Sequence, residues 1–260
     1  MALFDPKDRA DRGAALQVEI NARSVPPPVS PVEGSIRDFV YAEVWSRPGL
    51  DRRSRYLISL AGAAMAGAPQ SMLDGYVRGA LNGGDLTLTE LREAALHLSV
   101  YGGWPRGMEL DAAVSRAQQA LGLAPAECPP MRAEPWDPVA RGEVGQANFT
   151  STMTFPGGPS STPFQEAINN FVFGEMWCRP GLDERARRWI TLVAVANSAA
   201  EIPIKSHFHA GMTSGNCTRE EMLEFPLQYG VHAGWPRASL VNAVILEMAK
   251  KVEAGLPWHG

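Results

Sequence analysis

Apolar positions along this chain recur at spacings of three and four, the period of an amphipathic helix, and nowhere alternate with the period of a strand. Five such segments follow one another between residues 34 and 121. The first covers about 34–45, where Phe39, Val40 and Val44 share a face. Arg47-Pro48-Gly49 ends it, because a proline biases its predecessor away from helical dihedrals. Asp51 caps a second helix over about 52–66. Its Leu57, Ile58, Leu60, Ala61, Ala64 and Met65 form a wide apolar stripe that predicts a central position, and Gly67 stops it. A third helix covers about 69–82. The fourth opens at the capping box Thr87-x-x-Glu90 and ends near Tyr101-Gly102-Gly103. The fifth starts at Pro105 and runs to about Leu121.

The same plan then returns, with helices near 164–177, 183–198, 202–214, 218–232 and 236–254. FVYAEVWSRPGL from Phe39 recurs as FVFGEMWCRPGL from Phe171, and GGWPR ending at Arg106 recurs as AGWPR ending at Arg237. The copies lie 132 and 131 residues apart, which marks a duplicated unit. The expected fold is all-α, two tandem helical repeats packed as a pseudo-dimer. The divisions are an N-terminal arm over 1–33, a first repeat over 34–121, a proline-rich connector over 122–163 and a second repeat over 164–260. The arm, with PPPVSP at Pro26–Pro31, reads as extended. Arg12-Gly13 and Arg141-Gly142 suggest that the arm is duplicated too. One element departs from the repeat: Pro226 falls inside the fourth helix of the second copy, where Ala95 stands in the first, and predicts a kink.

Composition narrows the class. With 45% hydrophobic and 20% charged residues the chain can bury a core, and a net charge of −4 gives no electrostatic case for nucleic acid or an anionic membrane. No apolar run is long enough to span a bilayer, and the charged N-terminus has no secretory h-region. Cys128, Cys178 and Cys217 are widely spaced, which fits a reducing, cytoplasmic setting and excludes a C-x-x-C redox pair or a thiolate zinc cluster.

The succession E-x-W-x-R-P-G-L-D, an arginine-rich helix start, T-x-x-E and then x-G-W-P, present twice, resembles the carboxymuconolactone decarboxylase family within the alkyl hydroperoxide reductase D-like superfamily. The resemblance implies an all-helical, cofactor-free enzyme of ring-forming subunits. For a tandem chain it implies a homotrimer presenting six repeats as a pseudo-hexamer. The substrate class it implies is a small unsaturated carboxylated lactone or related acid, with decarboxylation in aromatic-compound catabolism as the reaction. The superfamily's peroxidase branch uses a C-x-x-C on the third helix; here the corresponding stretches are Ile202–His207 and Ala68–Leu73, without cysteine.

The family's histidine on that helix corresponds to His207, eight residues before Gly215, while the first repeat has Tyr76 at that place. The first position of the pattern Y/H-x-G-x-P is Tyr101 in the first repeat and His232 in the second. Imidazole carries protons near neutral pH, so His207 and His232 are the acid–base candidates, with Glu175 to orient or assist. Arg179, Arg187 and Arg188 are candidates to hold a carboxylate, and Trp177 and Trp235 to wall a flat substrate. Glu175 and Arg179 recur as Glu43 and Arg47, so a structural ion pair at the turn is the competing reading. The two tryptophans, which recur as Trp45 and Trp104, read equally as core or interface. His209 points about 200° away from His207 around a helix and is expected at a surface or interface. His97 reads as a packing histidine, and Cys178 and Cys217 as apolar filler. No metal is expected. An isomerase, hydratase or cyclase on the same scaffold, or a non-catalytic ring-forming binder, are the alternatives.

Overall fold

The computed structural model describes residues 4–132 and 134–260; the first three residues of the arm and Ala133 of the connector lie outside them. Every regular element among the described residues is helical. The first half comprises α1 (Pro6–Asn21), α2 (Pro31–Ser35), which continues as a widened π-helical run over Ile36–Trp45, α3 (Arg52–Ala66), α4 (Gln70–Asn82), α5 (Leu88–Gly102) and α6 (Trp104–Ala120). The second half repeats it with α7 (Pro138–Met153), α8 (Pro163–Ala167) running into a π-helical segment over Ile168–Met176, α9 (Glu184–Ser198), α10 (Glu201–Thr213), α11 (Arg219–Ala233) and α12 (Trp235–Glu253). None of these helices is long and apolar enough to cross a membrane.

The local signals act as expected. Asp51 and Asp183 accept from the third backbone N–H of their helices, Thr87/Glu90 and Thr218/Glu221 close reciprocal capping boxes, and Gly67 ends α3 at φ +63°. Helix α11 runs through Pro226 from Arg219 to Ala233 without a break in its assignment.

The arm and connector differ from the expectation. Each contains a four-turn helix, and the two helices are copies of each other: α1 and α7 both start at an Asp-Pro pair, with Asp5 and Asp137 as caps, and both end on a left-handed residue, Ala22 and Thr154. Their register is Gly13 with Gly145, rather than Gly13 with Gly142. A Cβ on either glycine would collide with a backbone carbonyl, that of Arg37 or of Asn169, so each helix is seated on its π-helical run by the one residue without a side chain. Arg9 and Arg141 then pair with Glu43 and Glu175.

Helices α3 and α9 pack against each other and form the core. Every residue from Ser54 to Ala64 and from Ala186 to Ala196 is buried. The fourth helix of each half lies on the central helix of the other, α5 on α9 and α11 on α3. This exchange decides where the functional groups meet.

Candidate active site

The exchange brings Glu93 of α5, fully buried, between two arginines of the second half. Arg179 donates Nε and Nη2 to its two oxygens at 3.0 and 2.8 Å, and Arg187 Nη2 lies at 3.5 Å. The mirror pair joins Glu224 of α11 to Arg47 of the first half at 2.6 and 2.5 Å. Arg179 holds a carboxylate bidentately and Arg187 adds one longer contact, but the carboxylate belongs to the protein. Glu175 does not pair with Arg179 at the turn; its ion-pair partner is Arg141 at 3.3 Å. Trp235 is half exposed, edge-on to Phe39, and stands outside the histidine clusters. His209 is buried rather than superficial, with Nε2 2.9 Å from the Leu256 carbonyl of the C-terminal tail.

His207 and His232 do not share a site. His207, on α10, meets Arg188 of α9: Nη1 is 3.4 Å from Nδ1. Burial first, and the arginine charge second, push the imidazole down to about 3, so it is neutral. A guanidinium can only donate, so Nδ1 carries the lone pair and Nε2 the proton. Arg188 is wholly buried. It is fixed by the Thr152 carbonyl at 2.6 Å and Asn216 Oδ1 at 3.2 Å, and lies over the Trp177 ring at 4.8 Å.

The partner facing His207 comes from the first half. The Tyr101 ring of α5 stands perpendicular to the imidazole, centroids 5.5 Å apart. Trp177 Nε1 donates to its hydroxyl at 2.7 Å, and Thr191 is a second hydrogen-bonding neighbour. Thr191 in turn is 2.9 Å from His97 Nε2. Burial pushes the phenol up to about 12. Its oxygen accepts from Trp177, and the phenol keeps a proton to give.

The mirror cluster has His232 perpendicular to Tyr76 at 5.7 Å, with Trp45 alongside. Burial pushes His232 down to about 4, and its Nε2 has no hydrogen-bond partner among the described residues. Where Arg188 reaches the Thr152 carbonyl, this half has Tyr56 donating to the Ile20 carbonyl at 2.9 Å. The first cluster is thus built on a buried cation and the second on a phenol.

Residues 33–123 and 162–247 each match the carboxymuconolactone decarboxylase family. The chain belongs to that family. It is 38% identical to the nitrosuccinic acid decarboxylase of Metarhizium robertsii over 109 residues, 41% of this chain and 75% of the relative. It is 39% identical to the 4-carboxymuconolactone decarboxylase of Acinetobacter baylyi over 93 residues, 35% of this chain and 66% of the relative. Each alignment spans less than half of this chain, as expected when a relative is matched to one of two copies.

Within this member of the family, sequence reasoning missed the partnership of Tyr101, Thr191 and His97 with His207. The repeat shows that Tyr101 and His232 hold equivalent positions on the two fourth helices, but not that these helices cross to the opposite halves. Among the described residues no cluster of three or more His, Cys, Asp or Glu suits a metal.

Proposed function

We propose that the chain is a decarboxylase of small carboxylic acids, working at the cluster of Arg188, His207 and Tyr101. Decarboxylase-like activity is the class that the family and the two relatives support. The substrate is an acid whose departing carboxylate leaves its electron pair on a carbon conjugated to an oxygen acceptor, such as a nitro group or an unsaturated lactone. The two relatives' substrates, a nitro acid and a carboxylated lactone, have that character in common.

In this reading the C–CO2 bond breaks, CO2 leaves, and the pair delocalises onto the acceptor oxygen. Arg188 supplies a fixed positive charge in a dry setting, and the neutral His207 offers its Nε2–H to the developing oxyanion. Tyr101 then gives its proton to carbon. The resulting phenolate is held by Trp177 Nε1–H, Thr191 and the Arg188 charge, and recovers a proton from solvent. Trp177 serves as a hydrogen-bond donor and ring platform, and Arg179, Arg187 and Glu175 hold the framework.

The observation that carries this assignment is the buried Arg188 against His207, a cation that the mirror cluster lacks. The test is CO2 release from nitrosuccinate and from 4-carboxymuconolactone by the full chain. His207→Ala and Tyr101→Phe are each expected to lower kcat by about 100-fold or more, the usual weight of a positioned proton donor, with helix content unchanged. Tyr76→Phe is expected to stay within about threefold. Full activity in His207→Ala, or loss in Tyr76→Phe alone, rejects the assignment.

A further inference from the structure

A cavity lies away from His207. It is a cleft of about 650 Å³ in the first half, between α1, the proline strap at residues 25–28 and the start of α4. That volume suits a small molecule. Its floor is polar: Asn21 and Tyr41, 3% and 4% exposed. Its walls include Val25, Pro26 and Met72, and Arg23 stands at the rim.

The floor leaves specific groups unspent. Asn21 Nδ2 donates to the Gln17 carbonyl at 2.7 Å and to the Tyr41 hydroxyl at 2.8 Å. The Tyr76 hydroxyl is a further hydrogen-bonding neighbour of Tyr41. The Tyr41 oxygen accepts from Asn21, no hydrogen bond given by the Tyr41 hydroxyl is found among the described residues, and burial holds its proton in place. At the rim, Arg37 is paired with Asp38, and Glu33 accepts from the Val29 N–H. The Arg23 guanidinium has no ion-pair partner among the described residues.

The second half shows what the same space becomes without those groups. At the constant separation of 132 residues that matches Gly13 to Gly145, Gln17 is replaced by Phe149, Asn21 by Met153, Arg23 by Phe155 and Tyr41 by Phe173. Phe149 packs against both Phe155 and Phe173, with centroids 5.5 and 4.7 Å apart, and Trp258 of the C-terminal tail adds to the plug at 5.8 Å from Phe155. A scaffold that needed only a filled space has that solution in one half. The other half has four polar groups around a hollow instead.

We propose that the first-half cleft binds a small carboxylate carrying a second oxygen acceptor, such as a keto, lactone or nitro acid. Arg23 takes the carboxylate at the mouth, and the Tyr41 hydroxyl donates to the second oxygen at the floor. The site is separate from the His207 cluster and does not depend on catalysis there.

Levulinate, a five-carbon keto acid, is the probe, with pentanoate, which lacks the keto oxygen, as its control. Calorimetric titration of the full chain to about 20 mM ligand reads millimolar binding. The expected result is saturable binding of one levulinate per chain, at least fivefold weaker binding of pentanoate, and at least fivefold weaker levulinate binding in both Arg23→Ala and Tyr41→Phe. Arg23 is exposed, and the second half already carries Phe at the Tyr41 position, so neither change threatens the fold. Binding in His207→Ala should match the parent, whether or not that variant retains decarboxylase activity. Absence of saturable binding, equal affinity for pentanoate, retention of full affinity in either cleft variant, or loss of binding in His207→Ala overturns the proposal.

Discussion

Replacing Glu93 with glutamine removes one negative charge and strands two positive ones. Arg179 and Arg187 are 7% and 1% exposed, and the carboxylate between them is 2% exposed. Arg179 would keep the carbonyls of Pro129 and Pro130, and Arg187 that of Arg179, so both guanidiniums stay hydrogen-bonded but have lost their counter-charge and repel each other. Breaking a buried pair from one side typically costs about 3–5 kcal/mol. For a chain of this size each kcal/mol moves the melting temperature by about 2–4 °C, so Glu93→Gln should lower it by about 10 °C. The mirror change, Glu224→Gln, is the internal standard. Its principal partner Arg47 is 29% exposed and Glu224 itself 15%, so solvent screens much of the loss and about 1–2 kcal/mol is expected. Differential scanning calorimetry of both variants gives the comparison. A second arm replaces all three buried groups, Glu93, Arg179 and Arg187, with leucine, which should recover much of the loss because no charge is left unpaired. If Glu93→Gln costs less than about 1 kcal/mol, or no more than Glu224→Gln, the claim that this exchanged ion cluster secures α5 is wrong.

Two further outcomes follow from the buried imidazoles. His207 and His232 are depressed to about 3 and 4, and His97 well below its ordinary value, all chiefly by burial. The unfolded chain therefore binds more protons below pH 6.5, so stability is full above that pH and declines as pH falls towards 4. Denaturant titrations from pH 7 to 4.5 should show this slope, and it should be shallower by about one proton in His232→Gln; an unchanged slope would count against a buried neutral His232. His97→Gln should raise stability by about 1 kcal/mol. Gln228, its mirror, accepts from Arg55 Nη1 at 2.7 Å and donates to Ser59 at 2.8 Å, whereas His97 Nδ1 and Arg187 Nη1 are both buried without partners among the described residues. A lower melting temperature in that variant would refute the comparison.

The helices of the two repeats were legible because their ends carry chemistry that acts locally. Asp51, Thr87 with Glu90, Asp183 and Thr218 with Glu221 each satisfy N–H groups within three residues, so their meaning does not depend on the fold. The helices of the arm and connector were less legible although Asp5-Pro6 and Asp137-Pro138 are start signals of the same kind, because prolines surround them and α1 and α7 carry weak apolar stripes. The site was only half legible. His207 and Arg188 could be chosen by residue type and helical position. That Tyr101 would face His207, that Glu93 would occupy Arg179, and that His232 would stand against Tyr76 all depend on which helix crosses to which half, and no local pattern records that crossing. The carboxylate that Arg179 holds is the protein's own Glu93, 86 residues away, a pairing no local pattern of the sequence marks.

The traded fourth helices mean that neither half owns its own centre. A gene segment altered within residues 88–102 retunes groups whose other walls are encoded some hundred residues later, and the reverse holds for 219–233. A protein with only one such unit would have to borrow the missing wall from a neighbour, and every change would then fall on both centres at once. Joining two units in one chain breaks that enforced equality. It lets one hollow stay open and polar while its twin is sealed with phenyl rings, and lets one centre keep a cation that the other has given up.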